Sequence, residues 1–188
     1  MEAIEKGWID LGYRTFAHEG PTGLKVERLA KAVGKSKSSF YHLFADLEVF
    51  TERLVQFHLA QAKHIAVLEA ACTSLEDLIE VIVDHKTDLL FNRQLKIHRD
   101  NPTFSACFAE TNAITTQAIL GIWAQILGLG DNSYLAGLVL KLSLENFYLQ
   151  ITDETLNEAW LRGYFEELQA TVRAFKQMGT IPALDGTV

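Results

Sequence analysis

Apolar residues recur along this chain at the three- and four-residue spacing of helices, and the pattern predicts nine helices and no strands. The first covers Ala3–Glu19, with Trp8, Ile9, Leu11, Tyr13 and Phe16 as apolar positions, and Gly20-Pro21 stops it. Leu24, Val26, Leu29, Ala30 and Val33 line one face of a second. Gly34 follows at once, where a helix end needs a residue tolerant of left-handed backbone. Ser36 is the N-cap of a third, whose Phe40, Leu43 and Phe44 face inward. The fourth opens at Asp46, with Glu48 in its first turn, and passes Phe50, Leu54, Phe57, Leu59 and Ile65 on its way to Ala71. Thr73-Ser74 cap a fifth, carrying Leu75, Leu78, Ile79, Ile82 and Val83 to an end near Phe91, with a short sixth over 95–98. Asp100-Asn101-Pro102 break the chain before a seventh, over about 103–127. The turn Gly128-Leu129-Gly130-Asp131-Asn132 leads to an eighth, over about 133–151. Thr152-Asp153-Glu154 start the ninth, which carries Leu156, Trp160, Leu161, Tyr164, Phe165, Leu168, Val172 and Phe175 to Gly179, and the tail after Ile181 is loose.

The second and third helices stand apart. In the third, Lys37, Ser38, Ser39, Tyr41 and His42 point away from the apolar side, too polar and basic for ordinary core. Two short helices joined by a tight turn, the second with such a face, have the layout of a helix-turn-helix, whose second helix lies in the DNA major groove. Charge changes the picture in the same direction. The formal net charge is −7, which at first argues against nucleic acid. Residues 1–45, however, hold seven Lys/Arg against five Asp/Glu, while residues 46–188 hold ten against nineteen. A basic end on an acidic body suits a DNA reader with a separate non-DNA domain.

An ordered set of residues extends beyond the helix-turn-helix. It runs from Phe16-Ala17 through Gly20, Leu29-Ala30, Gly34 and Ser36-Lys37 to Phe40-Tyr41-His42-Leu43-Phe44, and closes with Glu48 and Phe50. Over roughly the first 55 residues the chain resembles the N-terminal domain of TetR-type transcriptional repressors; the remainder is similar only in length and helical character. The resemblance implies an all-α fold with a helix-turn-helix DNA-binding domain over 1–46, a helical ligand-binding and dimerisation domain over 47–180, and a loose tail over 181–188. It implies a homodimer on a near-palindromic operator, recognition helices ~34–36 Å apart, and a small-molecule effector bound in the core. Three positions depart from the pattern: Lys35 stands where an aliphatic residue usually packs, Leu47 where a lysine often opens the fourth helix, and Leu24 where a threonine usually caps the second.

On this reading Lys25, Lys35, Lys37, Tyr41 and His42 contact phosphates, Ser38 and Ser39 reach base edges, and Ser36 both caps the recognition helix and counts among the DNA-binding residues. For an apolar or aromatic effector the expected pocket residues are Phe57, His64, His85, Phe91, Phe104, Phe108, Thr111, Trp123, Asn146 and Phe147. Helices eight and nine are apolar on more than one face, and the resemblance assigns them to the dimer interface, represented by Tyr134, Leu138, Leu142, Trp160, Tyr164 and Leu168.

Other classes find little support. Hydrophobic residues make up 48% of the chain, yet no apolar run approaches the ~20 residues that cross a bilayer. Two cysteines, Cys72 and Cys107, make no disulfide framework, and the acidic N-terminus is unlike a signal peptide, so the expected location is the cytoplasm. Histidines 58, 64, 85 and 98 show no i, i+4 pair, so neither a metal nor another cofactor is expected, and there is no nucleophile elbow, phosphate-cradling glycine loop or HExxH. The chain therefore reads as a DNA-binding regulator, a repressor released by a small ligand, and not as an enzyme. The alternative is a helical sensor or interaction protein whose DNA head is weakened or lost.

Overall fold

The computed structural model describes residues 3–130 and 132–178; the expected helix end at Gly179, the tail over 181–188 and Asp131 in the turn lie outside the described residues. Nine α-helices and no strand form among the described residues: α1 (Ala3–Glu19), α2 (Val26–Val33), α3 (Lys37–Phe44), α4 (Leu47–Ala71), α5 (Leu75–Asp84), α6 (Lys86–Ile97), α7 (Pro102–Ile126), α8 (Ser133–Gln150) and α9 (Glu158–Met178). A single 3-10 turn, Pro21–Gly23, separates α1 from α2.

Local chemistry sets most of these boundaries. Gly34 adopts φ 70°, ψ 33°, and Lys35 N–H donates to Ala30 O at 2.9 Å, closing α2 with a left-handed residue. Asp46 caps α4 by accepting from Val49 N–H, and Asn101 caps α7 by accepting from Thr103 and Phe104 N–H, with Pro102 in the first turn. Ser74 and Asp77 form a reciprocal capping box at the start of α5.

Three expectations need correction. The fifth helix does not run to Phe91: it ends at Asp84, and α6 begins at Lys86, so the short helix over 95–98 is the end of α6. The break falls on His85 (φ −104°, ψ 26°), with no glycine or proline to announce it. Residues 152–157 are not the start of α9 but a turn, closed by reciprocal bonds between Thr152 and Thr155 (2.8 and 3.1 Å); Asn157 then caps the helix by accepting from Trp160 N–H. The residue flanking α2 is Lys25, without a side-chain cap, and Leu24 is buried instead.

The two 25-residue helices, α4 and α7, pack along each other as the axis of the body. Helix α8 packs on α7, and α9 on α5. At the other end, α1 is shared between the helix-turn-helix and the body. Its Trp8 meets Phe40 of α3 (ring centroids 5.3 Å), while Tyr13 and Phe16 stack on Phe91 of α6 at 4.4 and 4.2 Å. Gly12 lies where α1 and α4 approach most closely: a Cβ there would fall 2.3 Å from Phe50 Cζ.

Phe91 is fully buried and touches rings from α1 and α4, including His58 at 4.5 Å. Phe91→Ala is expected to lower stability by about 3–5 kcal/mol, the usual range for emptying an aromatic site. Urea denaturation checks this, with exposed Val67→Ala expected to change stability little.

Candidate functional site

Helix α3 sits on its aromatic side, with Phe40 and Phe44 buried against Phe50 (ring centroids 5.2 and 4.8 Å). Ser36 accepts from Ser39 N–H at 3.2 Å, which satisfies one orphan donor at the helix start. With the apolar side so fixed, Lys37, Ser38, Tyr41 and His42 are exposed along the outer face and Ser39 is half-buried. Tyr41 packs its ring edge on Phe40, 5.5 Å between centroids, and is 52% exposed. Lys25 and Lys35 are exposed at the beginning of α2 and in the turn after it. Lys37 Nζ lies 2.9 Å from Glu27, whose carboxylate holds the ammonium above its ordinary pKa. Sequence reading missed this pair because the partners, ten residues apart, belong to different helices. Arg28 is likewise paired with Glu19.

In the body, a narrow slit runs between α4, α5, α7, α8 and α9, walled by Leu78, Ile82, Ile119, Trp123, Phe147, Tyr164 and Phe165. Its cavity volume is about 50 Å³, room for one or two waters. Glu69 of α4 and Tyr148 of α8 line both this slit and a smaller adjoining lobe, whose other polar walls include His58, Asp88, Asn92 and Thr111. Burial pushes the Glu69 carboxyl up to about 7, against an opposing contribution from the Thr115 hydroxyl. The Tyr164 hydroxyl donates to Ser143 O at 2.8 Å, and burial pushes its pKa up to about 12.

A buried polar chain leaves the lobe toward α1. The Tyr148 hydroxyl accepts from Asn92 at 2.6 Å, and Thr111 donates to Asn92 Oδ1 at 2.8 Å. His58 Nε2 lies 3.4 Å from the same Oδ1, and His58 Nδ1 is 2.6 Å from the Tyr13 hydroxyl. Tyr13 in turn donates to Asp88 at 2.7 Å. Burial lowers the His58 pKa to about 4 and raises that of Tyr13, the latter helped by the Asp88 charge. A side chain of α1 is thus one hydrogen bond away from the wall of the lobe.

Of the pocket residues expected from sequence, Trp123 and Phe147 line the slit and Thr111 the lobe. Phe108 packs on Tyr148, while Phe57 and Phe91 pack on Tyr13. His64 and His85 face each other at 6.2 Å, Phe104 belongs to the junction with α1, and Asn146 is exposed beside a groove between α8 and α9. Glu69, Ser143 and Leu89 went unnoticed, since nothing in a helical pattern singles out one acid, serine or leucine as lining a cavity. Tyr134, Leu138 and Leu142 are exposed on α8 and Trp160 is half-buried; Tyr164 and Leu168 border the α8–α9 groove together with exposed Phe175. Among the described residues no group of His, Cys, Asp or Glu is arranged to hold a metal, and no helix is long and apolar enough to cross a membrane.

No protein-family model matches the chain. Over 114 residues it is 31% identical to the HTH-type transcriptional repressor AcnR of Corynebacterium diphtheriae, a match spanning 57% of this chain and 56% of that protein, so it covers little more than half of the curated relative. Two solved structures share the fold along almost the whole length. A TetR-family transcriptional regulator from Mesorhizobium loti superposes with a TM-score of 0.59 at 19% identity, covering 93% of this chain and 96% of that one. One from a Rhodococcus species gives 0.55 at 15% identity, covering 95% and 98%. The all-α architecture is therefore the fold of TetR-family regulators.

Glu69 and His58 titrate in opposite senses. Folded Glu69 keeps its proton to about pH 7, whereas the unfolded carboxyl ionises near 4.5, so its contribution to stability falls as pH rises between these values. Buried His58 stays neutral down to about pH 4, so its contribution is present above 6.5 and lost as pH falls toward 4. Glu69→Gln should match the parent near pH 4.5 and exceed its stability progressively up to pH 7, by at most about 3 kcal/mol at about 1.4 kcal/mol per pKa unit. Urea denaturation of both proteins across this range measures the difference.

Proposed function

We propose that this chain is a sequence-specific, DNA-binding transcriptional regulator and not an enzyme: a cytoplasmic homodimer that represses until a small effector enters the helical body. Residues 1–46 read the operator, and residues 47–180 bind effector and pair with a second copy. The observation that carries the reading is the outer face of α3, where Lys37, Ser38, Tyr41 and His42 are exposed on a helix locked from behind by Phe40 and Phe44. A helix so presented can enter a major groove without disturbing its seat. Lys37, Tyr41 and His42 then serve phosphates, with Lys25 and Lys35 as flanking contacts, and Ser38 and Ser39 approach base edges. A repressor among the relatives supports the sign of regulation.

Dimerisation is supported by apolar surface on the last two helices. Tyr134, Leu142 and Phe175 are 83%, 62% and 68% exposed, and apolar surface gathered on one side of a chain is typical of an interface. The effector reading is supported by the slit and by the polar chain between its lobe and Tyr13 of α1, the helix whose Trp8 packs on α3.

Fluorescence anisotropy on the DNA flanking the protein's own gene, against scrambled DNA at two salt concentrations, tests the reading. Tight binding to the natural segment that weakens steeply with salt is expected. Lys37→Ala and Tyr41→Ala should each weaken it about tenfold, and Lys37→Ala should reduce the log–log salt slope by about 0.9. Equal, weak binding to both DNAs would favour a sensor whose head no longer reads sequence.

A further inference from the structure

Four buried side-chain atoms among the described residues lack a hydrogen-bond partner, and two of them are on residues that line the slit: Glu69 Oε2, an acceptor when ionised, and Trp123 Nε1, a donor. Buried polar atoms are rarely left without partners in a native core, and each such atom stabilises whatever ligand completes it. The remaining wall is almost wholly apolar and rich in aromatic rings: Trp123, Phe147, Tyr148, Tyr164 and Phe165.

Other charges nearby are already engaged. Asp88 accepts from Tyr13, and buried His58 is held neutral down to about pH 4. Lys96, 6.0 Å from the Tyr148 ring centroid, is paired with Glu145. Glu69 is thus the one carboxyl on the slit wall, and Glu69 Oε2 is shielded from solvent. An ammonium beside it would neutralise the carboxylate and relieve the burial that now opposes ionisation, while the surrounding ring faces attract the same charge. An anion would meet the opposite on both counts.

We propose that the slit, widening from its present volume of about 50 Å³, binds a small aromatic amine as its protonated cation, the ammonium donating to Glu69 and an oxygen of the ligand accepting from Trp123 Nε1. The proposal rests on the reading of the slit as the effector site and narrows that effector from an apolar molecule to an aromatic cation.

Isothermal titration calorimetry at pH 7 with three matched probes tests it: tyramine, tyrosol and 4-hydroxyphenylacetate, which share a phenol and end in ammonium, hydroxyl and carboxylate. Tyramine should bind at least tenfold more tightly than tyrosol, and 4-hydroxyphenylacetate most weakly. Glu69→Gln, shown to be folded by its urea transition, should remove the tyramine preference and leave tyrosol unchanged. Trp123→Phe should weaken tyramine and tyrosol by similar factors. Unchanged tyramine affinity in Glu69→Gln, preference for the carboxylate, or no heat from any probe at millimolar concentration would each overturn the proposal. The same tyramine titration into the protein–DNA complex separates the two readings. Release of DNA supports both, whereas tight, Glu69-dependent binding that leaves DNA bound supports the ligand class and overturns the effector role.

Discussion

One aromatic junction holds the molecule together. Phe91 of α6 receives Phe16 and Tyr13 from α1 and His58 from α4, so the helix that braces the helix-turn-helix is also a wall of the body's core. Without that junction, α2 and α3 would hang from the body through α4 alone. With it, the recognition helix, the long α4–α7 pair and the slit share one continuous packed interior. Interiors packed to crystal-like density shift between discrete arrangements and do not flex smoothly, so a change of packing at the slit has a path to α1 through contacts already in place.

The helix-turn-helix end was almost fully legible in the sequence, because its signals are local. Gly34 needs left-handed backbone, Ser36 and Asp46 cap within three residues, and Phe40 and Phe44 follow helical spacing. Boundaries set by less conspicuous groups were lost. The α5–α6 break rests on the backbone of His85, and the delayed start of α9 rests on two threonines bonding each other. The slit was legible only in part. Trp123 and Phe147 could be picked out as aromatics, but Glu69 becomes conspicuous only once α7 and α8 cover it, and Lys37 gains Glu27 only when α2 and α3 fold together. Contacts between distant segments carry no period for a sequence pattern to register.

The polar chain from Tyr148 through Asn92 and His58 to Tyr13 and Asp88 shows how the core accommodates hydrogen-bonding groups near its centre. Almost every member has a partner, which keeps desolvation from dominating. His58 is neutral, so the carboxylate of this polar chain, Asp88, faces a hydroxyl donor in place of a competing cation. Such a network favours one register of α1 against α4 and α6, because a shift along the helix would strand several groups together. The orphan pair in the slit contrasts with it: a few ångströms of helix surface separate a satisfied set from an unsatisfied one, both meeting at Glu69 and Tyr148.

A buried acid with one oxygen left unpaired is a point of local frustration, where the sequence is at odds with its own fold. Relieving it raises the melting temperature whether or not DNA is present. A ligand at a hundred times its dissociation constant adds about 2.7 kcal/mol to the folded state, which in a chain of this size corresponds to roughly 5–10 °C. The heat resistance of the free protein therefore reports ligand binding to the folded chain, and a chemical library can be searched on that signal, with Glu69→Gln as the comparison that separates the slit from other sites, before any operator is known.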